Sequence, residues 1–176
     1  LYNHKTGEAE RAKLYEELYS DPRFVFEVLV LDSETIDRMG VYNAQLYSHA
    51  ETLRTVQAKF PTALLVVDGS LPVAGFGLGS NIVALPKADQ LVPECSLASV
   101  IAKATQERLM REFDKRFPGY GFAKHHGYGT PEHEAALDKL GLCPIHRRSF
   151  GPIKKREEGT APAVNIFELM EALDDE

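Results

Sequence analysis

The stretch ALLVVDGS, residues 63–70, decides the fold of this chain. Its apolar run lies between Pro61 and the turn-forming sequence Asp-Gly-Ser, which is the pattern of a short strand buried on both faces. Strands of this kind are typical of parallel sheets, whose connecting helices cover both faces. Asp68 comes directly after the apolar run, so the strand is expected to carry a carboxylate at its carboxyl end.

The segments around this stretch alternate between helical and strand patterns. Helices are predicted over 8–18, 42–59, 92–117 and 130–141, and strands over 24–31, 63–67 and 81–85. Asp32 or Ser33 is suited to cap a helix, and Thr130 is a cap followed by Pro131. The alternation predicts an α/β fold with a partly parallel sheet.

Composition bounds the class of protein. The 176 residues are 44% hydrophobic and 26% charged, as in ordinary globular domains, and no apolar run approaches the roughly 20 residues of a membrane span. Cys95 and Cys143 lack metal-type spacing, which predicts reduced thiols and a cytoplasmic protein. A monomer is expected.

Positive charge is concentrated in one part of the chain. Residues 103–156 contain 12 Lys and Arg against 6 Asp and Glu, a net charge of +6. The rest of the chain is acidic, with net charges of -5 over residues 1–102 and -7 over residues 157–176. A basic region of this kind favours a polyanion such as nucleic acid, although a mixed solvated surface has the same composition.

Two aspartates follow neighbouring predicted strands. Asp68 ends the first, and Asp89 comes four residues after the second, 81–85. Carboxylates at neighbouring strand ends repel unless they share a proton or bind a cation, and oxygen ligands suit Mg²⁺ or Mn²⁺. The alternative is that Asp68 begins a turn and Asp89 solvates a loop.

The helix after Asp89 begins with small polar residues. Ser96, Ser99, Lys103 and Gln106 are spaced to form one stripe. Hydroxyls followed by a lysine near a helix start suit a phosphate backbone. A plain solvent face is the alternative.

At this point several blocks, in order, resemble the ribonuclease HII family. They are VVDGS, KADQLVPECSLASVIAK, FPGYGFAKHHGYGTPEH and PIHRRSFGPIKK, and the resemblance is strongest over residues 62–155. It implies a ribonuclease H-like fold with a mixed sheet flanked by helices. It also implies cleavage of the RNA strand of RNA–DNA hybrids and nicking at ribonucleotides embedded in DNA, with four carboxylates and Mg²⁺ or Mn²⁺ in a two-metal-ion reaction.

The resemblance also implies roles for particular residues. Asp68 and Asp89 match two of the metal-binding carboxylates, and Tyr128 matches the tyrosine that contacts the sugar at the RNA–DNA junction. Ser96, Ser99 and Lys103 match the helix start that approaches the substrate backbone. Phosphate contacts are further expected from Lys124, His125, Arg147 and Arg148, with an ion pair supporting the fold as the alternative for the two arginines. Tyr120 is expected to pack in the core, and no zinc site is expected from the four histidines of this region.

The chain departs from the family at its beginning. No Asp-Glu strand or Gly-Arg-Gly turn is found, so the first strands are expected to be missing and residues 1–156 to form an N-terminally incomplete ribonuclease HII-like domain. Residues 157–176 are expected to be an acidic linker and a helix. Two alternatives follow: a remnant that binds RNA–DNA hybrid without cutting it, and an interaction protein that docks a partner through the C-terminal helix.

Overall fold

A computed structural model describes residues 7–154, which contain helices and a short parallel sheet. Its helices are α1 (Glu8–Ser20), α2 (Ser33–Met39), α3 (Val41–Lys59), α4 (Ala88–Leu91), α5 (Pro93–Arg116), α6 (Phe122–His125), α7 (Pro131–Leu140) and α8 (Gly151–Lys154). Its strands are β1 (Leu65–Asp68) and β2 (Ile82–Leu85). None of the helices in this part of the chain is long and apolar enough to cross a bilayer.

The two strands run parallel, with Leu65 opposite Ile82 and Asp68 opposite Leu85. Their connection contains a 3-10 turn at Val73–Phe76. The α/β class is confirmed, with a small parallel sheet flanked by helices. Burial on both faces is only partly found, because the side chains of β1 alternate between buried and more exposed positions.

The strand expected over 24–31 is wrong. These residues form no strand, although they are apolar and extend from the end of α1 toward α2. Strand propensity reflects how well side chains fit a pleated surface, but a strand exists only where a neighbour pairs with its backbone. No residue between 7 and 154 supplies that ladder, and Val25 remains 59% exposed.

The chain divides into two compact units. Of the described residues, the first unit comprises 7–30 and 45–105. Its core cluster packs one face of α3 against β1 and the 3-10 turn, through Ala50, Leu65, Phe76 and Leu78 with Leu46, Leu53 and Val56 partly buried beside them. The helix predicted over 42–59 is therefore confirmed as α3, and it packs through one apolar face.

The second unit comprises residues 31–44 and 106–154 of the described chain. Tyr120 is 8% exposed there, stacks on Phe122 at 5.2 Å between ring centroids and donates a hydrogen bond from its hydroxyl to the Gly141 carbonyl over 3.0 Å. The expected core position of Tyr120 is thus confirmed.

Helix starts follow the predicted capping residues. The Asp32 carboxylate accepts the Thr35 N–H over 2.6 Å at the start of α2, and Thr130 caps α7 through its hydroxyl. The one-turn helices α4, α6 and α8 were not predicted, because four residues are too few to show a helical period. The boundary expected at residue 156 and the C-terminal helix expected beyond it lie outside the described residues.

Candidate active site

The carboxyl end of the parallel sheet brings Asp68 and Asp89 into one neighbourhood. Asp68 is the last residue of β1, and its Oδ1 accepts the backbone N–H of Ala88 over 2.8 Å. Asp89 follows Ala88 in the first turn of α4. A left-handed conformation at Lys87 (φ 61°) turns the chain from β2 into α4 and so permits this arrangement.

The pKa of the nearby Cys95 thiol reflects the negative charge at the carboxyl end of the sheet. Burial raises the pKa of Cys95, and the charges of Asp68, Glu94 and Asp89 raise it further. The Cys95 Sγ contacts the Val66 carbonyl at 3.7 Å. The charges of the three carboxylates therefore all act on the Cys95 thiol, which contacts β1 at Val66.

The donors fit a hard divalent cation in type but not in number. Carboxylate oxygens from Asp68 and Asp89 are the ligands that Mg²⁺ and Mn²⁺ prefer. Within residues 7–154, no group of three or more His, Cys, Asp or Glu side chains could hold a metal ion. The two aspartates thus supply only part of a ligand set.

The polar stripe at the start of α5 is more buried than expected for a solvent face. Ser96 is only 2% exposed, and its hydroxyl has no hydrogen-bond partner among the described residues. Ser99 and Lys103 are half-buried. Ser96 therefore does not present its hydroxyl to solvent, because its place on the helix faces the protein interior, whereas Ser99 and Lys103 keep partial access.

Tyr128 is an exposed ring on a closely held backbone. Its side chain is 59% exposed, while its N–H donates to the His125 carbonyl over 2.8 Å. Gly127, just before it, has φ 81°, a conformation that costs little only for glycine. Lys124 is also exposed. The loop thus offers an aromatic face and a cation to solvent, as its sequence predicted.

His125 differs from the expected phosphate contact. It is 7% exposed, its Nε2 lies 2.8 Å from the Tyr120 carbonyl, and its Nδ1 accepts the Gly127 N–H over 3.2 Å. Both ring nitrogens are thus engaged inside the second unit. The His125 ring is buried rather than exposed because it packs edge-on against Phe122, with 5.8 Å between the ring centroids.

The segment that contains Arg147 and Arg148 is anchored by Asp37, a residue that sequence reasoning missed. The Asp37 carboxylate accepts backbone N–H groups from Arg148 (2.6 Å) and Ser149 (3.0 Å) and the Ser149 hydroxyl. Burial raises the pKa of Asp37, but these hydrogen bonds outweigh it and lower the pKa overall. Arg147 lies over the Phe150 ring at 5.3 Å, and the Arg148 side chain is exposed.

The candidate residues fall into both units. Asp68, Asp89, Ser96, Ser99 and Lys103 belong to the first unit, whereas Lys124, His125, Tyr128, Arg147 and Arg148 belong to the second. A second feature that sequence reasoning missed is a set of contacts among buried histidines in the second unit, where His133 and His146 approach within 3.1 Å. Their spacing of 13 residues follows no motif that would have marked them.

Comparison with known proteins decides the family. The ribonuclease HII family model matches residues 72–152, which include Asp89 and Tyr128 but not Asp68. A ribonuclease HII from Coxiella burnetii is 34% identical over 146 residues, which make up 83% of this chain and 69% of that relative. The chain belongs to the ribonuclease HII family. The resemblance read from the sequence blocks is therefore confirmed.

This chain covers a smaller share of the length of two other members of the ribonuclease HII family. The relative from Ruminiclostridium cellulolyticum is 36% identical over 146 residues, 83% of this chain and 55% of the relative. The relative from Carboxydothermus hydrogenoformans is 39% identical over 153 residues, 85% of this chain and 62% of the relative. The chain thus spans between 55% and 62% of the length of these two proteins.

Proposed function

We propose that this chain acts as part of an endonuclease that hydrolyses the RNA strand of RNA–DNA hybrids and nicks DNA at embedded ribonucleotides. The observation that carries this proposal is the hydrogen bond that joins Asp68 to the turn before Asp89, at the carboxyl end of two parallel strands. Ligands of open α/β sheets bind at that end. Membership of the ribonuclease HII family supports the nuclease class.

Asp68 and Asp89 would hold Mg²⁺ or Mn²⁺ through their carboxylate oxygens. When bound, such ions activate water and stabilise charge on the phosphodiester in a two-metal-ion reaction. The protein's own contribution is orientation. The Ala88 N–H fixes one oxygen of Asp68, and the adjacent position of Asp89 keeps the second carboxylate near it.

Substrate would be bound by exposed and half-buried polar groups. Lys103, Lys124 and Arg148 would contact phosphates, with Ser99 at the helix start, and these contacts position the duplex without reading sequence. Tyr128 would contact the ribose whose 2′-hydroxyl distinguishes RNA from DNA. The net charge of +6 over residues 103–156 supports a nucleic-acid partner.

Three other candidates take supporting places in this proposal. Ser96 and His125 are buried, so we assign them to the packing beneath the surface rather than to direct contact. Arg147 would contact a phosphate only through the edge of its guanidinium group, since that group lies over the Phe150 ring.

A cleavage assay tests the proposal. The substrates are an RNA–DNA hybrid and a DNA duplex with one ribonucleotide, each with Mn²⁺ or Mg²⁺. Asp68→Asn and Asp89→Asn should each abolish metal-dependent nicking, whereas Asp114→Asn, the same charge change on α5, should leave it intact. Nicking that survives both Asp68→Asn and Asp89→Asn would overturn the assignment of the site.

A second candidate is hybrid binding without cleavage. It is favoured by the incomplete ligand set of residues 7–154. Salt-sensitive binding of the hybrid without nicking, measured in parallel, would support this candidate over the nuclease. Absence of both binding and nicking would exclude the two together. The third role, docking through a C-terminal helix, concerns residues outside the described part of the chain.

A further inference from the structure

Three buried histidines meet in the second unit beneath the Tyr128 loop. His125, His133 and His146 are 7%, 5% and 8% exposed. The rings of His125 and His133 stack at 4.3 Å between centroids, and those of His133 and His146 are 5.4 Å apart. None of them can act on a ligand in solvent from these positions, so their contacts inside the protein must explain what they do.

The proton position of His133 follows from its partner. His133 Nδ1 lies 3.0 Å from the Tyr128 carbonyl oxygen, which can only accept, so Nδ1 carries the proton. In a neutral ring, His133 Nε2 then accepts, and it lies 3.1 Å from His146 Nε2. His146 Nδ1 lies 3.0 Å from the backbone nitrogen of Cys143 and 3.1 Å from its carbonyl oxygen, so both a donor and an acceptor are within reach there.

His125 also has both ring nitrogens hydrogen-bonded inside the second unit. Its Nε2 must donate to the Tyr120 carbonyl, and its Nδ1 accepts the Gly127 N–H. Burial is the main cause that lowers the pKa of His146, to about 4, and so favours its neutral ring.

This network holds the backbone on both sides of Tyr128. The Tyr128 N–H donates to the His125 carbonyl over 2.8 Å, and the Tyr128 carbonyl accepts from His133 Nδ1 and from the Thr130 N–H. The side chain itself remains 59% exposed. The arrangement is therefore a fixed backbone with a ring free to meet a ligand, which limits the entropy lost when that ring is ordered on binding.

We propose that His133 is a positioning residue, which fixes the Tyr128 backbone by donating from Nδ1 to its carbonyl, with the His146 ring packed beside it. The inference rests on the proposed function, in which Tyr128 contacts the ribose. The facing Nε2 atoms of His133 and His146 lie 3.1 Å apart, within hydrogen-bond distance.

A matched pair of variants separates this role from simple packing. His133→Asn keeps a side-chain N–H near the position of Nδ1, whereas His133→Gln keeps one near Nε2 and loses the donor to Tyr128. Binding is compared for a duplex with one ribonucleotide and for the all-DNA duplex. His133→Asn should keep the preference for the ribonucleotide within about twofold, and His133→Gln should lose about tenfold, the effect of one unmade hydrogen bond.

Two structural measurements make the test independent of substrate. In the unaltered chain, nitrogen NMR of the histidine rings should show the Nδ1–H tautomer for His133 and the Nε2–H tautomer for His125. Amide hydrogen exchange at Tyr128 and Gly129 should accelerate in His133→Gln but not in His133→Asn. An Nε2–H tautomer at His133, or equal exchange in both variants, would overturn the inference.

The outcomes also separate this inference from the proposed function. If Tyr128→Ala leaves the preference for the ribonucleotide unchanged, the ribose contact fails, whereas the tautomers and the exchange rates still decide whether His133 holds the loop. If Tyr128→Ala removes the preference and the two His133 variants behave alike, the ribose contact stands and the positioning role of His133 is wrong.

Discussion

The backbone N–H of Ala88 donates a hydrogen bond to the carboxylate of Asp68 over 2.8 Å. Ala88 is completely buried, whereas Asp68 is exposed at the end of β1. One acidic side chain thus satisfies a buried donor of the next turn and holds Asp89 beside itself. The candidate active site is therefore organised by a contact that also stabilises the fold.

Removing the acceptor and removing the charge should have different effects on stability. Asp68→Ala leaves the buried Ala88 N–H without a partner and should lower the free energy of unfolding by about 1–3 kcal/mol. Asp68→Asn keeps an oxygen acceptor and removes repulsion with Asp89, so the change should stay within about 0.5 kcal/mol. Urea unfolding followed by circular dichroism measures both, and equal losses would contradict the hydrogen bond.

The reactivity of the Cys95 thiol should depend on the acidic side chains around it. Burial and the charges of Asp68, Glu94 and Asp89 raise the pKa of this thiol. Asp68→Asn should therefore increase the thiolate fraction and speed alkylation of Cys95 near pH 8. Peptide mass spectrometry separates Cys95 from Cys143, whose burial raises its pKa to about 11 and should keep it slow in both proteins. An unchanged alkylation rate at Cys95 would show that the charge of Asp68 does not act on the thiol.

Acid should weaken the second unit through His146. Burial is the largest cause that lowers its pKa in the folded protein, from 6.5 to about 4. Because the folded protein disfavours the charged ring, this contribution is fully present above about pH 6.5 and is lost as the pH falls toward 4. The loss is on the order of 3 kcal/mol.

The measurement is the free energy of unfolding between pH 7 and pH 4. His146→Asn should flatten its pH dependence, because the titrating group is gone. His49→Asn, a change at a half-buried histidine of the first unit, should keep the slope of the unaltered chain. The same slope in His146→Asn would show that other groups cause the acid loss.

Phosphate contact by Lys103 should appear in the salt dependence of hybrid binding. Each phosphate neutralised by a basic side chain releases counterions, so Lys103→Ala should weaken binding and reduce the slope of log affinity against log salt by about 1. Lys13→Ala makes the same charge change on α1, where Lys13 pairs with Glu17 at 3.7 Å. An equal reduction of the salt slope in both variants would show that Lys103 acts only through the net charge of the chain.

Tyr128 should discriminate ribose from deoxyribose more than it contributes to overall affinity. Its ring is 59% exposed, so Tyr128→Ala should cost little stability, and it should reduce the preference for a duplex with one ribonucleotide. Tyr42→Ala is the matched control, since that tyrosine is 61% exposed on α3. Equal loss of affinity for both duplexes in Tyr128→Ala would contradict a sugar contact.

Local sequence patterns predicted the helices well but the strands less well. The periods of α3, α5 and α7 and the caps at Asp32 and Thr130 depend on residues within one or two helical turns, so they are readable from the sequence. The run over 24–31 shows the limit. Its composition fits a strand, but pairing depends on a partner elsewhere in the chain, and the described residues supply none.

The candidate site divides in a similar way. Asp68 and Asp89 could be chosen from their places after two predicted strands, and Tyr128 from its sequence block. The burial of Ser96 and His125 could not, because a serine near a helix start and a histidine among glycines have the same local pattern whether they face solvent or the core. Only the packing of the rest of each unit decides which side they face.

The sequence by itself determined the longer helices α1, α3, α5 and α7, the places of β1 and β2, the basic region and the resemblance to the family. Only the tertiary structure decided that Asp37 binds the backbone of Arg148 and Ser149, 111 and 112 residues away, and that His133 and His146 share a hydrogen bond. The physical reason is range. Periodicity and capping act between near neighbours in the chain, whereas burial and histidine tautomers depend on atoms that only the folded chain brings within 3 Å.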